Sequence, residues 1–330
     1  MSTGNNFWTT IKKKYSIYLI LIALFIVCSL ANPNFLSVNN LTNISRQLAV
    51  TTILALGATM LIISGMLDLS SGSVLALAGV FAVSAYKTTG SLFIAIIVGI
   101  LTAVICNIIN ALMISTFKAP PFIATLAMLT VSRGVALLFT KGQNILQLGH
   151  FTVLGQGSIG VIPIPIIFLV VIAVFTWYLL NHTRFGRSLY AVGGNEEASI
   201  ASGINVHKVK YTAFIINGIF VGLAGVLFMS RVNAGLPNGA INYEFTALTA
   251  AIIGGTSFSG GVGTVGGTLA GAFIVGFLDN IMNLTNVDSY MQQIVRGSII
   301  ALAVIYDIHT RNRRANSMLG RIADKGATKK

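Results

Sequence analysis

The sequence predicts an all-α, polytopic membrane protein with about ten transmembrane helices and both termini on the cytoplasmic side. Three observations carry this. Hydrophobic residues make up 55% of the 330 residues and charged residues only 9%, where a soluble domain carries roughly 25%. The apolar residues gather into runs close to the roughly 20 residues that cross a bilayer. The basic residues alternate between dense and sparse from one connecting segment to the next. The composition excludes a disordered chain, which has too little apolar surface to bury. It also excludes a disulfide scaffold. The two cysteines, Cys28 and Cys106, sit inside apolar runs and read as small buried hydrophobes. A β-barrel is excluded because its signal is short alternating segments, and these runs are continuous.

Taken in order, the first run spans 15–31, behind Lys12, Lys13 and Lys14. Those lysines and Ser29-Leu30-Ala31 imitate a secretory leader, but the same features fit an uncleaved first span, and losing it would leave nine spans and break the charge pattern. A short Asn-rich stretch, 32–46, leads to the second run at 47–65. The third, 72–86, is short for a span. The fourth and fifth are 91–114 and 121–140, and Pro120-Pro121 suits the first turn of the latter. Residues 141–161 form a Gly-rich, nearly uncharged outer loop before the sixth run, 162–180. The longest inner loop, 181–210, mixes acids and bases. The seventh run is 211–229. The eighth, 242–258, is rich in Gly, Ala and Thr. The ninth and tenth are 264–285 and 293–308. The domains are therefore an N-terminal cytoplasmic tail, 1–14, a membrane domain, 15–308, and a basic tail, 309–330, expected on the inner lipid surface.

The charges orient this path. With the N-terminus inside and ten crossings, the outer loops hold only Arg46, Lys87, Lys141 and Arg231. Arg133 and Arg296 fall within spans. The other fifteen of the 21 basic residues are inside, as the positive-inside rule requires. Omitting the eighth span would put the seven basic residues of the tail outside. The net charge of +13 thus reads as orientation, and no nucleic-acid partner is expected.

Enzymatic signatures are missing. There is no phosphate-binding G-x-x-x-x-G-K-[ST] and no H-E-x-x-H, and the four histidines are scattered, so no metal site and no catalytic residue is expected. Gly155–Gly160 and Gly261–Gly266 match G-x-G-x-x-G, but neither follows a strand in a βαβ unit. Gly218 with Gly222, and Gly263 with Gly267 and Gly271, form stripes that let helix backbones approach closely. They suit packing within the subunit or an interface between subunits.

Four polar constellations remain. In Leu67–Ser73, Asp68 or Ser70 can cap the following helix, or mark a broken helix whose carboxylate and hydroxyls face a polar pathway. In Lys118–Thr125, Phe122 and Thr125 are candidates to line that pathway, and Arg133 farther along must face protein or water, or snorkel. In the inner loop, Gly193-Gly194 precede Asn195, a good N-cap. Glu196 and Glu197 then meet the positive end of the helix dipole, Ala198 follows, and Gly203 is a good stop. This spells a helix over 196–202, too short to stand alone in water. It docks on its own membrane domain or on a cytoplasmic partner. Glu244, Asp279, Asn280 and Asn283 are intramembrane polar groups, which mark pathways. They suit a neutral, hydroxyl-rich solute.

"GRSLYAVGGNEEASIASGINV" at 186–206 and "AAIIGGTSFSGGVGTVGGTLAGA" at 250–272 resemble the permease subunits of bacterial monosaccharide ABC importers of the ribose type. So do "MLDLSSGSVLALAG" at 66–79 and "APPFIATLAMLTVSRG" at 119–134. The likeness covers roughly 45–310. Met66-Leu67 departs from the Gly-Ile more often found before the Asp. The resemblance implies a multi-pass inner-membrane permease that pairs with a second permease subunit, in the simplest case as a homodimer. It implies a cytoplasmic ATPase carrying ATP and Mg, with no cofactor on this chain, and a periplasmic sugar-binding protein. It makes 181–210 a coupling loop in which Gly193, Gly194, Asn195, Glu196, Glu197, Ala198 and Gly203 meet the ATPase. Asp68, Ser70, Phe122, Thr125, Glu244 and Asn280 are the expected pathway residues. The alternative is an ion-coupled secondary transporter of a small polar solute. It would need intramembrane carboxylates such as Asp279, and leaves the capped inner helix without a role.

Overall fold

The computed structural model describes residues 4–302, 304–305 and 309, with side chains from Ser16 onward. The basic residues after His309, expected at the lipid surface, lie outside the described residues. The chain divides into two units, Met1–Val287 and Asp288–Lys330. In the second, residues 289–302 are helical.

In the first unit, α1 runs Gly4–Ala31, so the helix begins well before residue 15. A 3₁₀ turn, Pro33–Leu36, is capped by Asn32. Helix α2 (Val38–Ile63) starts on the Ser37 cap. Helix α3 (Ser71–Thr89) follows an extended segment, and Gly90 ends it with φ +69. Helix α4 (Leu92–Ala111) closes in a π turn, Leu112–Thr116. Helix α5 (Pro121–Thr140) starts on its proline. The loop after it carries strand β1 (Ile145–Leu146), a short helix α6 (Val153–Gln156), and the ribbon of β2 (Ser158–Ile159) with β3 (Ile162–Pro163). Helices α7 (Ile164–His182), α8 (Arg184–Gly194), α9 (Glu196–Ala201) and α10 (Val206–Val232) follow. Strand β4 (Ala234–Gly235) pairs antiparallel with β1. Helices α11 (Tyr243–Ile253) and α12 (Val265–Leu284) complete the unit.

Among the described residues, six helices are long and apolar enough to cross a membrane: α2, α4 with its π turn, α5, α7, α10 and α12. The chain is thus a polytopic helical membrane protein. Helix α11 is shorter than the expected run 242–258. At 1.5 Å per residue its 11 residues span about 16 Å, half of the roughly 30 Å hydrocarbon core. Gly254 and Gly255 (φ +85) end it, because the second needs a left-handed backbone.

The core forms around α2 and α10, whose inner stretches are almost fully buried, while α4, α5 and α7 expose Leu, Ile, Val and Phe. Glycines set the closest approaches. A Cβ on Gly218 would lie 2.8 Å from Val104 Cα, and one on Gly222 would lie 2.6 Å from Ile100 Cα. Helices α10 and α4 therefore run antiparallel in near backbone contact. Gly225 faces Leu75, and Gly79 faces Met229, so α3 and α10 run parallel. Gly271 lies against Ala250, and Gly267 against Gly254, so α11 and α12 are antiparallel. Both glycine stripes therefore pack inside this chain.

Two segments double back. Gly57 and Asp68 both meet Asn217, eleven residues apart in sequence. The chain therefore runs down the last turns of α2, reverses at Ser64-Gly65, and returns extended to the level where α3 starts. After α10, the chain reverses at Asn233 (φ +53) and comes back beside its own helix. Tyr243 stacks edge-on against Phe228, with ring centroids 5.4 Å apart. The two reversals meet: a Cβ on Gly72 would strike Ala240 O and the Glu244 carboxylate.

Candidate functional site

At the first reversal Asp68, 2% exposed, is the hub of a buried polar group. Its Oδ1 accepts from Ser70 N at 2.8 Å and Ser70 Oγ at 2.5 Å. Its Oδ2 accepts from Ser71 Oγ and from Asn217 Nδ2, both at 2.9 Å. The same Asn217 amide donates to Asn107 Oδ1, and Asn110 Nδ2 donates to Ser70 Oγ. Four donors satisfy this carboxylate, the condition under which a buried charge is tolerated. Ser70 stands at the N-cap of α3, but its side chain makes no capping bond, because its hydroxyl is turned to Asp68. Asp68 itself ties the turn before the helix.

The second reversal brings Glu244, buried on the first turn of α11, against Gly72. Arg133 on α5 is partly buried. Its Nη1 donates to Pro237 O at 2.6 Å and Gly239 O at 2.8 Å, so it holds the returning loop and does not snorkel. Thr125 is buried, and its hydroxyl returns to Pro121 O on its own helix. Phe122 is 55% exposed on the outer face of α5. Asn280 pairs with Asn40 on α2, at 2.8 and 3.1 Å, and shares no hydrogen bond with Asp68 or Glu244. The reversals thus unite Asp68, Ser70 and Glu244, but neither Phe122 nor Asn280.

The inner loop forms a second site. Thr183 caps α8. Asn195 Oδ1 accepts from Ala198 N at 2.8 Å and starts α9, and Gly203 follows it with φ +80. Lys210 on α10, 11% exposed, donates to both carboxylate oxygens of Glu196 at 2.8 and 2.9 Å. Glu197 and Ala198 are exposed, as is Ile200 at 59%. Gly193 has no room for a Cβ, which would meet Ile63 O and lie 2.7 Å from Gly261 N. Gly261 N in turn donates to Ile63 O at 2.8 Å. Tyr190 Oη donates to Gly263 O at 2.8 Å, and burial pushes its phenol above the ordinary value, so it stays a donor. At Gly194, by contrast, a Cβ would point into open space. The loop is therefore seated, through α8, on the end of α2 and on the 254–264 loop.

Sequence reading missed Asn107, Asn110, Asn217 and Lys210. The first two lie three apart in an apolar run, the spacing of one helix face, and that was a usable signal. Asn217, a polar residue inside the seventh run, carried the same intramembrane signal as Glu244 and Asp279; Lys210 carried none, since it acts through a partner on another element.

A family model for branched-chain amino acid transport system/permease components matches residues 40–304. The ribose import permease of Haemophilus influenzae is 39% identical over 295 residues, covering 88% of this chain and 91% of that protein. The ribose import permease of Bacillus subtilis is 40% identical over 300 residues, covering 90% and 93%. The L-arabinose transport permease of Escherichia coli is 34% identical over 295 residues, covering 89% and 90%. No solved structure matches the chain. A match across the reversals, the buried polar hub and the capped inner helix leaves one assignment: the chain belongs to this family of transport-system permease components, as a multi-pass inner-membrane protein.

Proposed function

We propose that this chain is the permease subunit of an ATP-driven, binding-protein-dependent importer of ribose or a closely related monosaccharide. The likeness to ribose import permeases along some nine-tenths of the chain supports the substrate class. The observation that carries the mechanism is the seating of α9. A short capped helix presents Glu197, Ala198 and Ile200 outward while Gly193, packed on Ile63 and Gly261, ties its base to the end of α2 and to the 254–264 loop. ATP and Mg on a cytoplasmic ATPase close that partner, which pushes α9. The displacement passes through Gly193 and Tyr190 into the end of α2 and the 254–264 loop, and the pathway switches between outward and inward access.

Ten crossings with both termini cytoplasmic suit the relative helix directions, since α3 and α10 run together while α4 opposes α10 and α11 opposes α12. In that arrangement 1–14 and 309–330 flank a membrane domain of 15–308, and the basic tail lies on the inner lipid surface. A second copy completes the pathway, with Asp68, Ser70 and Glu244 at its edge. A periplasmic sugar-binding protein delivers the solute. No observation favours the ion-coupled alternative, and the relatives named above are permeases of sugar import systems.

The test is uptake of labelled ribose into sealed vesicles holding this chain, its ATPase and its binding protein, with ATP on the ATPase side and ion gradients collapsed. Uptake requiring ATP and all three components is expected. Uptake by this chain alone on an ion gradient would overturn the reading.

A further inference from the structure

Two carboxylates converge on the first turn of α3, and they are not alike. Asp68 has four donors. Glu244 is 6% exposed, yet its Oε2 has no hydrogen-bond partner. That oxygen points at Gly72, where a Cβ would collide with it. Among the described residues no side chain caps the amides of Gly72 and Ser73, the second and third residues of α3. An uncapped helix start offers donors and a positive dipole end. A buried acceptor beside it has none of the bonds that such groups normally make. A donor and an acceptor left open side by side match a hydroxyl, which accepts from the amide and donates to the carboxylate.

We propose that Glu244 Oε2 and the first turn of α3 form a hydroxyl-binding subsite on the sugar's path, closed in this conformation. The inference rests on the sugar-permease reading. The two groups sit on the tips of two reversing segments, α3 reached from α2 and α11 reached from α10, so a small separation of those tips opens the subsite. Gly72 is required because a side chain there would fill it. Asp68 holds the α3 tip in place from the other side, and Arg133 holds the 237–239 turn just before Glu244. A neutral polyol gains bonds here that an apolar solute cannot, and loses them as the tips close.

The experiment uses the complete transporter in proteoliposomes with ATP enclosed beside the ATPase. It compares wild type, Glu244→Met, which keeps the side chain's length with only a weakly accepting thioether, and Glu244→Gln, which keeps an oxygen acceptor. The readouts are uptake of labelled ribose, arabinose and xylose, ATP hydrolysis stimulated by the binding protein, and the unfolding midpoint. Glu244→Met is expected to lower uptake at least tenfold while stimulated ATP hydrolysis stays near wild type and the midpoint does not fall, since the buried oxygen it removes has no partner. Glu244→Gln is expected to recover a third or more of the lost rate. Equal uptake in wild type and Glu244→Met would overturn the subsite. Equal loss in both variants, with a lowered midpoint or lost ATPase stimulation, would overturn it in favour of a packing role. Should wild type carry another pentose in place of ribose, the ribose reading fails, and the same comparison made with that sugar still decides the subsite.

Discussion

Asp68→Asn isolates what one carboxylate contributes to the break before α3. Its two oxygens take four donors, two from Ser70 on Oδ1 and one each from Ser71 and Asn217 on Oδ2. Asparagine keeps one oxygen. The Ser70 backbone amide cannot turn away, so the oxygen stays on that side and the new NH₂ faces Ser71 and Asn217. Ser71 can rotate its hydroxyl to accept. Asn217 cannot follow, because the same amide donates to Asn107 Oδ1. One N–H is left against another, at about 1–3 kcal/mol, and the two surviving bonds to a neutral acceptor each lose about 1 kcal/mol. Relief from burying a charge offsets part of this. The net expectation is a loss of about 3 kcal/mol, well above the roughly 0.6 kcal/mol average for a hydrogen bond between transmembrane helices. At about 2 °C per kcal/mol for a large chain, the unfolding midpoint of the purified protein in detergent should fall by about 6 °C. A midpoint within 1 °C or so of wild type for Asp68→Asn would refute the assignment of Asp68 as the hub.

Three further outcomes follow from the inner loop and the core. Gly193→Val should leave the ATPase bound in pull-down while uptake falls at least tenfold, because its side chain drives into Ile63 O and Gly261 and breaks the seat without touching the exposed face of α9. Glu197→Lys should weaken capture of the ATPase several-fold with the midpoint unchanged, whereas Glu196→Gln should act through a loosened α9, since its carboxylate is already held by Lys210; equal pull-down for both would remove the distinction. Gly222→Leu should cost about 3 kcal/mol or more by overpacking, since its side chain meets backbone of α4 that cannot yield, and an unaltered midpoint would count against the close α4–α10 contact.

What the sequence made legible divides along one physical line. Helix α9 was readable because its determinants are neighbours: Asn195 caps it, two acids fill its first turn, and Gly203 stops it, all within nine residues. The apolar runs of α4 and α7 were readable because much of their surface remains apolar and exposed. Chain reversal was not readable. Hydropathy adds Gly254, Gly255 and Thr256 to an apolar run whatever direction the backbone takes, so the run 242–258 reads as one helix where the helix ends at Ile253. Type and depth make Phe122 and Asn280 pathway candidates but do not say which face a side chain takes: Phe122 is exposed on this single subunit, and Asn280 is joined to Asn40.

The sharpest case is the pair Asp68 and Glu244. In sequence both are single acids at the edge of a glycine-rich break, and nothing in their immediate neighbours ranks one above the other. Their difference arises only when residues 149 positions apart are brought together, giving Asp68 the amide of Asn217 and leaving Glu244 Oε2 with nothing. A carboxylate saturated by its own protein gains nothing from a solute and serves the fold. One whose oxygen is buried and unmatched costs stability in the closed state, a cost that a passing hydroxyl removes as the tips part. The same residue type therefore carries two roles at one helix start, and the count of donors around each oxygen separates them.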